Sequence, residues 1–260
     1  MICAQNKEMV KKTLLSLGML VCLFLAGCGD RNYYLGNAHM RKGLYDRAIS
    51  DFNKALEIDP KHIMAYNNRG NAYIAKGLYD LAIEDFNKAL EINPRYADAY
   101  SNRGYVYNVK GLFDLAISDF NKALEINPKY AEAYNNRGYA YNAKGLFNLA
   151  ISDFNKALEI NPRYATAYNN RGYAYNTKGF FDLAISDFNK AIEINPGYAD
   201  AYNNRGHAYY NKQEYDKSWE DVHKTQDLDS QVRPEYLNDL RESSEREKGG
   251  SQTVPAQLFN

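Results

Sequence analysis

Residues 97–130 read Ala97-Asp98-Ala99-Tyr100-Ser101-Asn102-Arg103-Gly104-Tyr105-Val106-Tyr107-Asn108-Val109-Lys110-Gly111, then Leu112-Phe113-Asp114-Leu115-Ala116-Ile117-Ser118-Asp119-Phe120-Asn121-Lys122-Ala123-Leu124-Glu125-Ile126-Asn127-Pro128-Lys129-Tyr130. In the first half Ala99, Tyr100, Arg103, Gly104 and Tyr107 fall at i, i+1, i+4, i+5 and i+8, which places them in one stripe on a helix. Gly111 marks a turn. A second helical segment ends at Asn127, because the residue before a proline is pushed out of helical geometry. The stretch predicts a helical hairpin.

The hairpin is copied along the chain. Pro60, Pro94, Pro128, Pro162 and Pro196 are spaced by 34 residues, as are Gly70, Gly104, Gly138, Gly172 and Gly206, and Phe52, Phe86, Phe120, Phe154 and Phe188. Three unrelated residue types in one register define full units at 63–96, 97–130, 131–164 and 165–198, preceded by a first copy at 29–62. A sixth unit, 199–232, is degenerate: it has Ser218, Val222, Thr225 and Ser230 where Ala, Phe, Ala and Pro recur. The copying accounts for 24 tyrosines beside a single tryptophan. Helices of about 13 residues are only ~20 Å long and marginal alone, so stacking of neighbours must stabilise them.

The unit resembles the tetratricopeptide repeat (TPR), whose signature is an aromatic, then Leu-Gly and Tyr, then Ala-x₃-Phe, then Pro. Tyr100 takes the aromatic place, Gly104 the glycine, Tyr107 the tyrosine, Ala116 and Phe120 the small-large pair, and Pro128 the stop. The resemblance covers nearly all of residues 29–232 and implies an all-α superhelical solenoid of antiparallel hairpins. Gly104 costs about 1 kcal/mol relative to Ala in a helix; its recurrence implies a close helix approach, matched by Ala116 from the other side. The family's Leu before that glycine is replaced by Arg69, Arg103, Arg137, Arg171 and Arg205. A partly buried arginine needs a partner, and Asp85, Asp119, Asp153 and Asp187 lie 16 residues later in four units. The spacing predicts an Arg–Asp pair within each hairpin, such as Arg103–Asp119; a solvated charge ladder is the alternative.

The three cysteines, Cys3, Cys22 and Cys28, all lie in the first 28 residues, so the body has no disulfide framework and no thiolate metal site. Lys7, Lys11 and Lys12 precede an apolar run from Leu14 to Leu25, the pattern of a secretory signal. The run is short of the roughly 20 residues that cross about 30 Å of hydrocarbon. It ends in Leu25-Ala26-Gly27-Cys28, which resembles the lipobox of bacterial lipoproteins. That resemblance implies removal of residues 1–27 and acylation of Cys28, with Gly29 (Asp at that place favours inner-membrane retention in enterobacterial relatives) leaning towards an outer-membrane site facing the periplasm. An uncleaved anchor, or a plain secretory signal with an incidental Cys28, is the competing reading. The 32 Lys+Arg balance 32 Asp+Glu; without the segment 1–27 the chain is two charges negative. Attachment to anionic lipid would therefore rest on the acyl chains. The even balance also argues against nucleic acid, which needs a positive face.

No metal-ligand spacing joins His39, His62, His207 and His223. No phosphate loop, nucleophile elbow or Cys–His arrangement appears, so neither a catalytic site nor a cofactor is expected. In TPR proteins the first helices line a concave surface that holds peptides. Here the resemblance maps that surface onto Asn68, Asn102, Asn136, Asn170 and Asn204; one turn on, Asn71, Tyr105, Tyr139, Tyr173 and His207; and then Asn108, Asn142 and Asn176. Amides and tyrosine rings suit the backbone and small apolar side chains of a peptide, and no basic clamp for a terminal carboxylate is present. The asparagines have an alternative use in contacts between helices. The chain thus reads as 1–27 signal, 28–232 solenoid and 233–260 polar capping helix and tail. The expected function is a lipid-anchored envelope scaffold that recruits a protein, with self-association or glycan binding as alternatives.

Overall fold

The computed structural model describes residues 30–250 of the chain; the segment 1–27, Cys28 and the tail 251–260 lie outside the described residues. Among the described residues the fold is all helix. The first helix, α1, is described over 30–41. It is followed by α2 (Tyr45–Ile58), α3 (Ile63–Ala75), α4 (Tyr79–Ile92), α5 (Ala97–Val109) and α6 (Phe113–Ile126). Then come α7 (Ala131–Ala143), α8 (Phe147–Ile160), α9 (Ala165–Thr177), α10 (Phe181–Ile194), α11 (Ala199–Asn211), α12 (Tyr215–Asp227) and α13 (Pro234–Gly250). The chain forms two compact units, 1–128 and 129–260. In the first, α3 pairs with α4 and α5 with α6, while α2 packs on α3 and α4 on α5. In the second, α7–α8, α9–α10 and α11–α12 are the hairpins, with α8 against α9 and α10 against α11. Within each unit the helical hairpins are stacked in sequence order.

The first five hairpins are closed by the same local chemistry, and the sixth has Gln213 at the glycine place with φ 64°. At Gly111 the backbone turns left-handed with φ 72°, which a residue without Cβ adopts freely. The Gly111 N–H donates to the Asn108 carbonyl at 3.0 Å and the Leu112 N–H to the Tyr107 carbonyl at 2.8 Å. This two-bond pattern satisfies the last carbonyls of α5. Helices α4, α6, α8 and α10 end as the Asn-Pro dipeptide demands. Asn93 is extended, and its Oδ1 accepts from the Arg95 N–H at 2.9 Å.

The core is an alanine–phenylalanine array: Phe52, Phe86, Phe120, Phe154 and Phe188 are fully buried, as are the alanines four residues before each of them. The recurrent glycines face these rings. A Cβ built on Gly138 would lie 2.7 Å from Phe154 Cε1, and one on Gly104 2.9 Å from Phe120 Cε1. Gly138→Ala would gain about 1 kcal/mol from helix propensity alone, but forcing a methyl into a filled core costs roughly 1–3 kcal/mol. The expected outcome is a net loss of about 1 kcal/mol, read as a lower urea midpoint. A raised midpoint would show that the ring yields.

The C-terminal end departs from the period for a physical reason. Val222 stands where the other hairpins have Phe, and it does not fill the space beside Gly206. Tyr236 of α13 fills it instead, its Oη being the atom nearest to a Cβ built on Gly206, at 3.1 Å. Tyr236 and Leu240 are buried with Val222 and Val232. Ser218, at an alanine place, gives its proton to the Gly206 carbonyl at 2.9 Å and accepts one from Tyr236 Oη at 2.6 Å. Thr225, at another alanine place, donates to the Asp221 carbonyl at 2.8 Å. The polar substitutions of the sixth unit are thus satisfied internally, as buried hydroxyls must be.

Candidate functional site

The sites of interest depend on how the first helix of each hairpin is held. Arg69, Arg103, Arg137, Arg171 and Arg205 each make a two-pronged pair with Asp85, Asp119, Asp153, Asp187 and Asp221 respectively, at 2.6–2.9 Å. The pair expected from the 16-residue spacing is present, and the degenerate sixth hairpin has it too. The first hairpin carries Leu35 at the arginine place, and His39 Nδ1 meets Asp51 at 2.7 Å instead. The guanidinium also reaches backwards. Nη1 of Arg69, Arg103, Arg171 and Arg205 donates to Asn53, Asn87, Asn155 and Asn189 of the preceding hairpin at 2.5–2.6 Å. Two tyrosines flank each of the five guanidinium groups at 5.4–6.0 Å. Burial is the larger influence on Asp85, Asp153, Asp187 and Asp221 and pushes their carboxyls up, with the guanidinium pulling them back down.

Along the first helices of the first unit, Asn68 Nδ2 donates to Asn37 Oδ1 at 2.7 Å and to Tyr33 Oη at 3.3 Å, and its Oδ1 accepts from Asn67 at 3.1 Å. Asn102 donates to Asn67 at 3.0 Å. Asn71 is half-buried, Asn108 buried and Tyr105 exposed. In the second unit Asn170 donates to Asn135 at 3.1 Å and Asn204 to Asn169 at 3.0 Å, while Asn136 accepts from Asn135 at 3.1 Å. Asn176 accepts from Asn211 at 3.1 Å. Within each unit the asparagines therefore form a ladder between successive first helices, and the amide donors of Asn68, Asn102, Asn170 and Asn204 are engaged in it. The acceptors Asn67, Asn135 and Asn169 were not singled out by sequence. Their signal was the Asn-Asn doublet recurring at 67–68, 135–136 and 169–170.

Two of the tyrosines and several of the asparagines converge in the second unit. Tyr139, Asn142, Ala143, Asn169, Asn170, Tyr173 and Asn204 line an open cavity of about 440 Å³. Tyr139 and Tyr173 are half exposed, at 49% and 50%, which leaves ring faces open to a ligand. Asn142 donates to the Asn170 carbonyl at 3.4 Å, whereas its Oδ1 is buried without a hydrogen-bond partner. No charged residue lines the cavity. Its chemistry is aromatic faces with neutral amide acceptors, suited to apolar side chains and N–H donors.

His207, the next position in this row, is covered. Tyr236 stacks on its ring at 3.7 Å and 27°. Burial, with a smaller push from Arg233, lowers its pKa to about 4. The unfolded chain takes up this proton near pH 6.5 and the folded chain only near 4, so stability present above about 6.5 is lost as pH falls through that window. His207→Tyr, the residue found at the equivalent positions 105, 139 and 173, is expected to flatten the fall in melting temperature between pH 7 and pH 4. An identical fall in both proteins would remove His207 from the account.

Comparisons with known proteins agree with this architecture. The family profile described as "Tetratricopeptide repeat" matches residues 63–96, 97–130 and 131–164, and that described as "TPR repeat" matches 36–77 and 172–213. Curated proteins gave no match. Among solved structures, MamA protein is 30% identical, with 66% of this chain and 94% of that chain covered and a TM-score of 0.56. YrrB, described as "a TPR protein with an unusual peptide-binding site", is 28% identical over 76% of this chain and 97% of that one, with a TM-score of 0.57. PilW, described as a "widely conserved type IV pilus biogenesis factor", shares the fold at 24% identity and a TM-score of 0.71, covering 76% and 92%. Repeats, hairpin geometry and sequence likeness together make this chain a member of the tetratricopeptide repeat family.

Proposed function

We propose that the cavity between Tyr139 and Tyr173 binds an extended segment of a partner protein, and that the chain is a non-catalytic scaffold anchored in the bacterial envelope by lipid on Cys28. The observation that carries the binding reading is the pair of half-exposed rings, Tyr139 and Tyr173, that line one open cavity. An exposed aromatic face is the kind of surface that anchors a partner's side chain. The rings take side chains of the segment, and the neutral asparagine amides that line the cavity beside them face its backbone. YrrB, 28% identical, supports a peptide ligand through its described peptide-binding site. The anchor reading rests on the lipobox-like ending Leu25-Ala26-Gly27-Cys28 and on Gly29, which favours an outer-membrane location facing the periplasm.

Selection from a random peptide library on immobilised protein tests the binding reading. Peptides that bind the wild-type protein are expected to weaken about tenfold on Tyr173→Ala, the loss of a stacked aromatic contact, and to weaken on Tyr139→Ala. Peptides indifferent to both changes would refute it. The anchor is tested separately: a Cys28→Ser chain is expected to leave the membrane fraction, and its quantitative retention there would overturn lipid attachment.

A further inference from the structure

The edge of the second unit where the two helices of each hairpin join carries a second, chemically different recess. Leu146, Leu149, Phe180 and Leu183 are exposed by 43%, 50%, 48% and 52%, on turns and first helical residues. The equivalent positions of the sixth hairpin are Glu214 and Lys217, so the apolar strip ends in charge. Part of its apolar content has a local use, since Phe180 meets Tyr175 edge-on at 6.5 Å. Half of each side chain nevertheless remains in water.

A rung of one kind recurs within each unit. A lysine at the end of each first helix reaches an acid at the start of the preceding hairpin's second helix. Lys76 pairs with Asp46, Lys110 with Asp80, and Lys212 with Asp182, the last at 2.6 Å. Position 148 breaks the row: Asn148 replaces the aspartate found at 46, 80, 114, 182 and 216. Lys178 donates to the neutral Asn148 Oδ1 and lies 5.1 Å from the centre of the Phe180 ring. Phe180 is itself an exception, standing where Leu44, Leu78, Leu112 and Leu146 stand in other hairpins. Two departures from the period thus meet at one point. They position an ammonium whose charge no described carboxylate cancels, at the wall of an apolar recess of about 370 Å³ lined by Gly145, Leu146, Phe147, Asn148, Leu149 and Lys178.

We propose that this recess docks a partner-protein segment in which a bulky apolar side chain adjoins a carboxylate. The carboxylate pairs with Lys178, and the apolar group covers Leu146 and Leu149. Burying that group stabilises the complex by removing exposed apolar surface from water, and the unneutralised lysine selects an acid over a neutral or basic neighbour. The site faces a different ligand chemistry from the uncharged tyrosine–asparagine cavity, and it stands or falls independently of that cavity.

The minimal probe is N-acetyl-leucine, with the uncharged N-acetyl-leucinamide as its control, titrated into methyl-labelled protein and followed by NMR. The acid is expected to shift the Leu146 and Leu149 methyls saturably. The amide is expected to bind ~2–5-fold more weakly, the range for a partly exposed ion pair. Asn148→Asp restores the residue of the neighbouring hairpins and so folds; it should weaken the acid, and not the amide, by a similar factor. The reverse change, Asp80→Asn, removes the carboxylate from Lys110 and should make the Leu78 and Leu81 methyls respond. Equal binding of acid and amide, or an Asn148→Asp protein that binds the acid unchanged, overturns the proposal. So does a strip that ignores both probes and responds instead to phosphatidylglycerol vesicles, which would make it a lipid contact.

Discussion

Phe154→Ala is expected to destabilise the second unit by about 3–5 kcal/mol, the range for removing a fully buried ring. Phe154 has no exposed surface, and its ring lies against the backbone of α7 at Gly138. Helices this short do not survive without the packing that the ring supplies, so the loss falls on the α7–α8 hairpin and on α9, which stacks on α8. The sixth hairpin shows why truncation there is tolerated and here is not. Val222 stands at the phenylalanine place, and Tyr236 from α13 enters the vacated volume. No such helix follows the hairpin of Phe154, so Phe154→Val should also destabilise, by less than Phe154→Ala. A second signature follows from contact. Gly138→Ala harms the wild-type protein because the methyl meets the ring, so in the Phe154→Ala background it should be neutral or stabilising. Urea unfolding of the four proteins in this cycle measures the coupling; additive effects would refute the packing account.

Arg171→Leu is the second large effect. Asp187 is 5% exposed and receives both prongs of Arg171 at 2.7 and 2.6 Å. The same guanidinium holds Asn155 of the preceding hairpin at 2.6 Å and lies between Tyr168 and Tyr175. Removing it leaves a buried carboxylate alone, which costs about 3–5 kcal/mol. The lower end is expected, because a fifth of the arginine side chain is open to solvent. Replacing both partners, as in Arg171→Leu/Asp187→Leu, should recover most of the loss, since a buried pair is often no better than apolar packing. The pH dependence has a definite sign. Burial already pushes the Asp187 carboxyl up, and without the arginine nothing opposes that push. An acid whose folded pKa lies above its unfolded value favours folding when protonated. The penalty of Arg171→Leu should therefore shrink as pH falls from 7 towards about 4, the ordinary aspartate range. A penalty constant with pH would mean that Asp187 finds another partner.

Much of this was legible in the sequence because it is periodic. The 34-residue register places each hairpin, and the 16-residue offset from Arg103 to Asp119 names an ion pair that a helix–turn–helix brings together. The backward reach of Arg103 to Asn87 has the same offset in the other direction. It depends on how closely hairpins stack, which no spacing within one hairpin specifies. The asparagine ladder was half visible. Asn102 and Asn170 were singled out for a ligand, and the structure engages their amide donors with Asn67 and Asn135, leaving the half-exposed rings of Tyr139 and Tyr173 to line the cavity. The insertion of Tyr236 beside Gly206 belongs to no repeat, so periodicity could not find it. Asn148 and Phe180 were hidden for the opposite reason: each is one exception inside a strong pattern, and only their meeting at Lys178 gives them meaning.

The most direct test of the peptide-binding account places the photo-crosslinking residue p-benzoylphenylalanine at position 139 in intact cells and identifies the products by mass spectrometry. The account predicts crosslinks to a linear segment of a different protein, lost when Tyr173→Ala is added. Products consisting only of this chain itself, or of cell-wall glycan, would contradict it.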